Sequence, residues 1–133
     1  MLYDYRQQSY RLLCCWPEDH RTRPNEAAIA PDGSLWFSTM DKTAQLAIGS
    51  WYRFTYGSVQ AERMLSGQHV PNTLVWHGKH AWFADTFRHC FCRCDAQRIS
   101  ESTLHEWPIA SLMADGSALT HNGILLNACW GSA

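Results

Sequence analysis

An all-β fold of repeated antiparallel units is predicted, and three observations predict it. A pattern of oxygen-bearing side chain, apolar run, glycine turn and second apolar run occurs three times. Its copies begin at Asn25, Asn72 and Asp115, so the period lies in the forties. No segment carries apolar residues at helical spacing. Short strands and glycine turns repeating at that interval mark the blades of a β-propeller. The expectation is a propeller fragment of about three four-stranded antiparallel blades, forming one partial domain over residues 1–133. The innermost strand of each blade lines a common channel, so Asn25, Asn72 and Asp115 are expected on successive inner strands with their side chains facing it.

Each element follows from local chemistry. Residues 1–20 hold one or two strands, Tyr10–Trp16 being the clearest, and a polar turn at Pro17-Glu18-Asp19-His20. Residues 25–30 read as an inner strand, Pro31-Asp32-Gly33-Ser34 as a turn, and Leu35–Thr39 as the next strand. Ala44–Ser50 reads as a loop, Ser50–Tyr56 as an aromatic strand, Gly57–Ala61 as a turn and Glu62–Ser66 as an outer strand. The cycle restarts at Asn72, with strands near 73–77, 80–84, 89–94 and 103–107, and again at Asp115.

With 46% hydrophobic and 17% charged residues, the composition is that of a folded domain. Lys and Arg are scattered and the formal charge is −1, so the basic stripe that nucleic acid requires is absent. No apolar run approaches membrane-spanning length. Of six cysteines, Cys90, Cys92 and Cys94 alternate and so share one face of a strand. This is neither a zinc-knuckle nor a redox Cys-x-x-Cys spacing. They read as reduced thiols packed as small hydrophobes, which implies a cytoplasmic location. The seven histidines show no metal-binding spacing and read as surface or packing residues.

Arg23-Pro24-Asn25-Glu26, Pro31-Asp32-Gly33-Ser34-Leu35-Trp36-Phe37, Thr39-Met40, Phe83-Ala84-Asp85-Thr86, Asp115-Gly116 and Trp130-Gly131 follow one another in an order and spacing that resemble the regucalcin and gluconolactonase family, the senescence-marker-protein type. The resemblance runs from about Tyr3 to Gly131. It implies a six-bladed propeller that hydrolyses sugar lactones, of which this sequence covers about half, from inside the second blade to inside the fourth. It further implies one divalent cation (calcium, zinc, manganese or magnesium) bound in the channel. Asn72 and Asp115 match two of its ligands, and Asp115 is also the catalytic base. Arg23 and Asn25 match the pair that grips the substrate.

The departures from the family pattern are specific. The third family ligand, a glutamate, belongs to the first blade, which has no counterpart here. Thr73 stands where the family has a glycine after the asparagine, and Glu26 where an aspartate is common. Asp41 is the only acidic residue placed to replace one that often follows Thr-Met. Each site residue also has a plainer reading: Asp115 and Asn72 as turn residues, Arg23 and Asn25 as a loop-to-strand junction. Asp32 reads as a turn residue and Asp85 as a structural one.

Three functions remain open: a metal-dependent sugar-lactone hydrolase completed by homo-oligomerisation, a catalytically inactive truncated propeller, and a sugar- or partner-binding module. Met1 falls inside a blade, which fits a shortened reading frame. Two half-rings related by a two-fold axis could close one ring.

Overall fold

A computed structural model describes residues 1–16, 19–97 and 103–131. The strands run β1 (Leu2–Asp4), β2 (Ser9–Arg11), β3 (Thr22–Ile29), β4 (Leu35–Asp41), β5 (Gly49–Phe54), β6 (Glu62–Gln68), β7 (Pro71–His77), β8 (His80–Asp85), β9 (Cys90–Asp95), β10 (His105–Pro108), β11 (Ala114–Leu119) and β12 (Leu125–Cys129). A 3-10 turn at Thr86–Arg88 joins β8 to β9. All pairings between these strands are antiparallel. β3-β4-β5-β6 and β7-β8-β9-β10 form two four-stranded sheets, each in sequence order, flanked by the two-stranded β1-β2 and β11-β12. These are two complete blades between two partial ones, and the all-β propeller expectation holds.

Strand boundaries differ from the expected ones chiefly at the start. The strand expected over Tyr10–Trp16 is confined to Ser9–Arg11, and Cys15 makes only an isolated parallel bridge to Gln60. Leu13, Cys14 and Trp16 instead pack against Tyr52, Phe54 and Ala61 on the outer side of the first full blade. Burying these side chains outweighs continuing a two-stranded ladder. Pro17, Glu18 and residues 98–102 lie outside the described residues. The Pro31–Ser34 turn forms as expected. Gly33 takes φ +83, a conformation glycine adopts without steric cost, and its N–H reaches the Ala30 carbonyl at 2.9 Å.

The core lies between the two full blades. Trp36, Trp51 and Leu65 of one face Leu74, Ala81, Phe83, Cys90, Cys92 and Cys94 of the other. Trp51 meets Phe83 edge-on at 5.5 Å, and Trp36 meets Trp76 at 5.8 Å. The alternating cysteines are all buried in this layer, and all six thiols are free. Burial pushes the Cys94 thiol up to about 12, so it packs as a neutral group. Among the described residues no helix is long and apolar enough to cross a membrane.

Two aspartates at matching blade positions hold the inner loops. Asp41 ends β4, and its Oδ2 accepts hydrogen bonds from the Thr43 hydroxyl (2.7 Å) and the Gln45 and Leu46 amides (3.0 and 3.1 Å). Asp85 ends β8 and accepts from the His69 and Val70 amides at 2.7 and 3.0 Å. The Asp85 carboxylate is thus structural in its contacts.

The Thr43 hydroxyl, then the Gln45 amide, hold the Asp41 carboxyl at about 2, below its ordinary range. A depressed carboxyl contributes stability that is fully present above its unfolded value and is lost as pH falls through the folded one. The Gln45 and Leu46 amide resonances are therefore expected to titrate with a midpoint at about 2. In Asp41→Asn that transition should be absent. A midpoint at the ordinary carboxylate value would show that the loop does not depend on this carboxylate.

Candidate functional site

Three inner strands bend at the same level. The β3–β4 register shifts between Pro24 and Ala27, the β7–β8 register between Asn72 and Leu74, and the β11–β12 register between Ala114 and Ser117. Bulges re-aim side chains that regular alternation would send into a neighbouring blade. Asn25, Asn72 and Asp115 sit at these irregularities, and with Arg23 they line one cavity of about 240 Å³. Met40, Phe87 and Trp130 close its apolar side. The structure thus brings together all four residues singled out in the sequence.

A directed hydrogen-bond chain connects three of them. Arg23 donates to Asn25 Oδ1 at 3.2 Å, and Asn25 Nδ2 donates to Asn72 Oδ1 at 2.9 Å and to the Pro71 carbonyl at 2.9 Å. Asn72 Nδ2 donates to Thr86 Oγ1 at 2.9 Å, and that hydroxyl donates to the Ala114 carbonyl at 2.5 Å. Because the Thr86 proton is committed to Ala114, Thr86 can only accept from Asn72, which fixes the Asn72 amide with its oxygen on the Asn25 side. One lone pair of that oxygen remains available. Asp115 is exposed and has no side-chain hydrogen bond or ion pair among the described residues. A carboxylate and a carboxamide oxygen are hard donors and fit a divalent cation such as calcium in kind, two of the several oxygens such an ion needs. Within these residues water would complete the shell.

Glu26 does not line this cavity: its Oε1 accepts from the Ala27 amide at 2.9 Å inside the first bulge. Asp41 is engaged in its loop and does not supply a replacement acid. Asp32 is a turn residue, accepting from Ser34 N at 2.9 Å and paired with Arg53 at 2.5 Å. Sequence reasoning marks Thr73 only as a departure from glycine and Thr86 only as part of a motif, and it gives Asn127 no role. The signals available are the Asp85-Thr86 pair, a hydroxyl directly after a structural aspartate, and the threonine in place of glycine after Asn72.

Two other places compete. A cleft of about 330 Å³ lies at the opposite ends of the same strands, lined by Pro31, Trp36, Trp76 and Lys79 among others. Its acidic residues Asp32 and Asp95 are occupied, the latter by the Gln97 amide at 2.8 Å. The Cys90, Cys92 and Glu106 donor atoms lie within 4.8 Å of one another. There Arg88 binds Glu106 at 2.6 Å, so the one carboxylate of the group is already paired.

Residues 1–133 match the SMP-30/gluconolactonase/LRE-like region. The chain belongs to that family. Among solved structures, this SMP-30/gluconolactonase-like chain is similar to the calcium-binding protein regucalcin from Agrobacterium tumefaciens strain C58, with a TM-score of 0.81 and 23% identity over 97% of this chain and 46% of that one. It is also similar to a luciferin-regenerating enzyme, with a TM-score of 0.69 and 22% identity over 83% of this chain and 40% of that one. The chain therefore spans less than half the length of these structures. At these identities the likeness shows the fold. No curated protein matches it.

Proposed function

We propose that these residues form part of a metal-dependent sugar-lactone hydrolase site, with Asn72 and Asp115 holding one divalent cation and Arg23 and Asn25 holding the sugar lactone. The observation that carries this reading is the meeting of all four side chains around one cavity, in a chain of the SMP-30/gluconolactonase/LRE-like family. The calcium binding ascribed to the regucalcin structure fits the oxygen donors. Six free thiols fit a reducing, cytoplasmic setting.

A bound cation would supply Lewis-acid polarisation of the lactone carbonyl and acidify a water molecule. Asp115 accepts the proton as the water oxygen bonds to the carbonyl carbon. Arg23 donates to the oxygen on which charge develops, and Asn25 orients the sugar. Asp115 then returns the proton to the ring oxygen as the ring C–O bond breaks, which leaves the open-chain hydroxy acid and the carboxylate ready for the next cycle. Asn72, held by Asn25 and Thr86, keeps its oxygen in a fixed direction without reorganising.

Hydrolysis of glucono-lactone with added calcium, zinc or manganese tests this. The 133-residue chain is expected to turn over weakly, because one carboxylate and one amide compete poorly with water for a divalent ion. Asp115→Ala should abolish what activity there is, since ligand and base go together. Arg23→Ala should lower kcat/KM about 10-fold or more, through weaker substrate binding and the loss of one charge-assisted hydrogen bond to the developing charge. Robust metal-dependent turnover that survives Asp115→Ala would overturn both the ligand set and the mechanism. Should the chain bind a sugar lactone with no turnover at any metal concentration, it is a sugar-binding module.

A further inference from the structure

Thr73 is a β-branched residue at φ +57, in the left-handed region that glycine favours, and it is fully buried. This is the position where the family has glycine. Threonine is strained there by crowding of its Cβ, so contacts elsewhere must hold it. Its hydroxyl donates to the Asp115 carbonyl. The same oxygen lies 2.9 Å from Ser117 Oγ and accepts from Asn127 Nδ2 at 3.1 Å. Asn127 Nδ2 also reaches Ser117 Oγ at 2.7 Å and the Asp115 and Gly116 carbonyls at 3.1 and 3.3 Å. The Thr73 proton is committed to Asp115, so Ser117 donates to Thr73. Three side chains from β7, β11 and β12 thus fasten the backbone of the third bulge, on which Asp115 stands with a free carboxylate.

We propose that Thr73 is a positioning residue: its hydroxyl, braced by Asn127 and Ser117, locks the Asp115–Ser117 backbone and so aims the Asp115 carboxylate at the cavity shared with Asn72. Gly116 in that segment has open space around it, and its carbonyl is reached only by Asn127 in this network, so without the clamp the bulge is free to re-form. The orienting side chain thus resides on the neighbouring blade, directly after the other cation-facing residue. One bulge sets both: the irregularity between Asn72 and Leu74 turns Asn72 to the cavity and Thr73 toward Asp115. The functional part of the proposal rests on the reading of Asp115 as a cation ligand.

The test uses terbium(III) as a hard-ion probe on the 133-residue chain, read by luminescence sensitised by Trp130 in the same cavity, with amide hydrogen exchange at Gly116 and Ser117 as a second readout. Thr73→Gly removes the hydroxyl and relieves the strain together. A threonine that merely fills space predicts unchanged terbium affinity in this variant. The clamp predicts a loss of about 10- to 100-fold, the usual effect of removing a side chain that orients a ligand, with faster exchange at Gly116 and Ser117. Thr73→Ser, which keeps the hydroxyl, should restore both. If Asp115→Asn abolishes terbium binding while Thr73→Gly binds like the parent, the clamp is overturned and the ligand reading stands. If terbium emission is absent, or indifferent to Asp115→Asn, the ligand reading fails. Exchange then decides the clamp alone: faster exchange in Thr73→Gly, reversed in Thr73→Ser, upholds it, and unchanged exchange overturns it.

Discussion

Replacing Asp85 by alanine is expected to destabilise the chain by about 4 kcal/mol, since two amides lose their acceptor at about 1–3 kcal/mol each. Asp85 is fully buried, and it binds the His69 and Val70 amides at the crossing from β6 to β7. The Val70 carbonyl in turn accepts from the Thr86 amide at 2.9 Å, so the link between the strand end and the crossing is reciprocal. Alanine leaves those N–H groups facing a void. Asp85→Asn keeps one acceptor oxygen but turns an amide group toward a second donor, so it should recover only part of the loss. Urea denaturation reads the effect as a fall in midpoint at constant slope. A midpoint unchanged from the parent would show that the carboxylate is dispensable. Because Asn72 follows two residues after Val70, the proposed cation site should also bind more weakly in Asp85→Ala, although Asp85 itself does not line the cavity.

Trp51→Ala should cost about 3–5 kcal/mol, the range for deleting a large aromatic from a core. Trp51 is only 1% exposed and lies at the centre of the layer between the two full blades, against Phe83. Both sheets are hydrogen-bonded internally, so side-chain packing is the main attachment of one to the other, and the vacated volume cannot collapse without moving a whole sheet. Trp107 provides the contrast. It stacks on Trp82 at 5.4 Å but is 41% exposed, and Trp107→Ala should cost a small fraction of that amount. Equal effects for the two would mean that the layer between the blades is not the stabilising core.

Much of this protein was legible one segment at a time. The apolar run Leu35–Phe37, the alternating cysteines of Cys90–Cys94 and the turn at Pro31–Ser34 are properties of residues adjacent in the chain. Strand, buried face and turn therefore follow from them directly. The repeat beginning at Asn25, Asn72 and Asp115 placed those residues at equivalent points of successive units, and equivalent points of a propeller converge. That made the cavity predictable before any contact was known. Tyr10–Trp16 misled, because a strand-like composition does not reveal whether a partner strand or a packing surface will claim the segment; Tyr52, Phe54 and Ala61 claimed it.

Only the tertiary structure decided how the site is held. Asp41 and Asp85 look alike in sequence, yet one caps its own loop and the other fastens the connection between blades. The bulges that turn Asn25, Asn72 and Asp115 inward are register shifts, defined by the facing strand and invisible in either strand alone. The links Asn25–Asn72 and Thr73–Asp115 join residues more than forty positions apart. Such links depend on inter-blade distances that the whole packed layer sets. Local patterning determines which elements form because it acts through neighbours; the direction of a polar side chain is set by distant partners, and those exist only once the blades have packed.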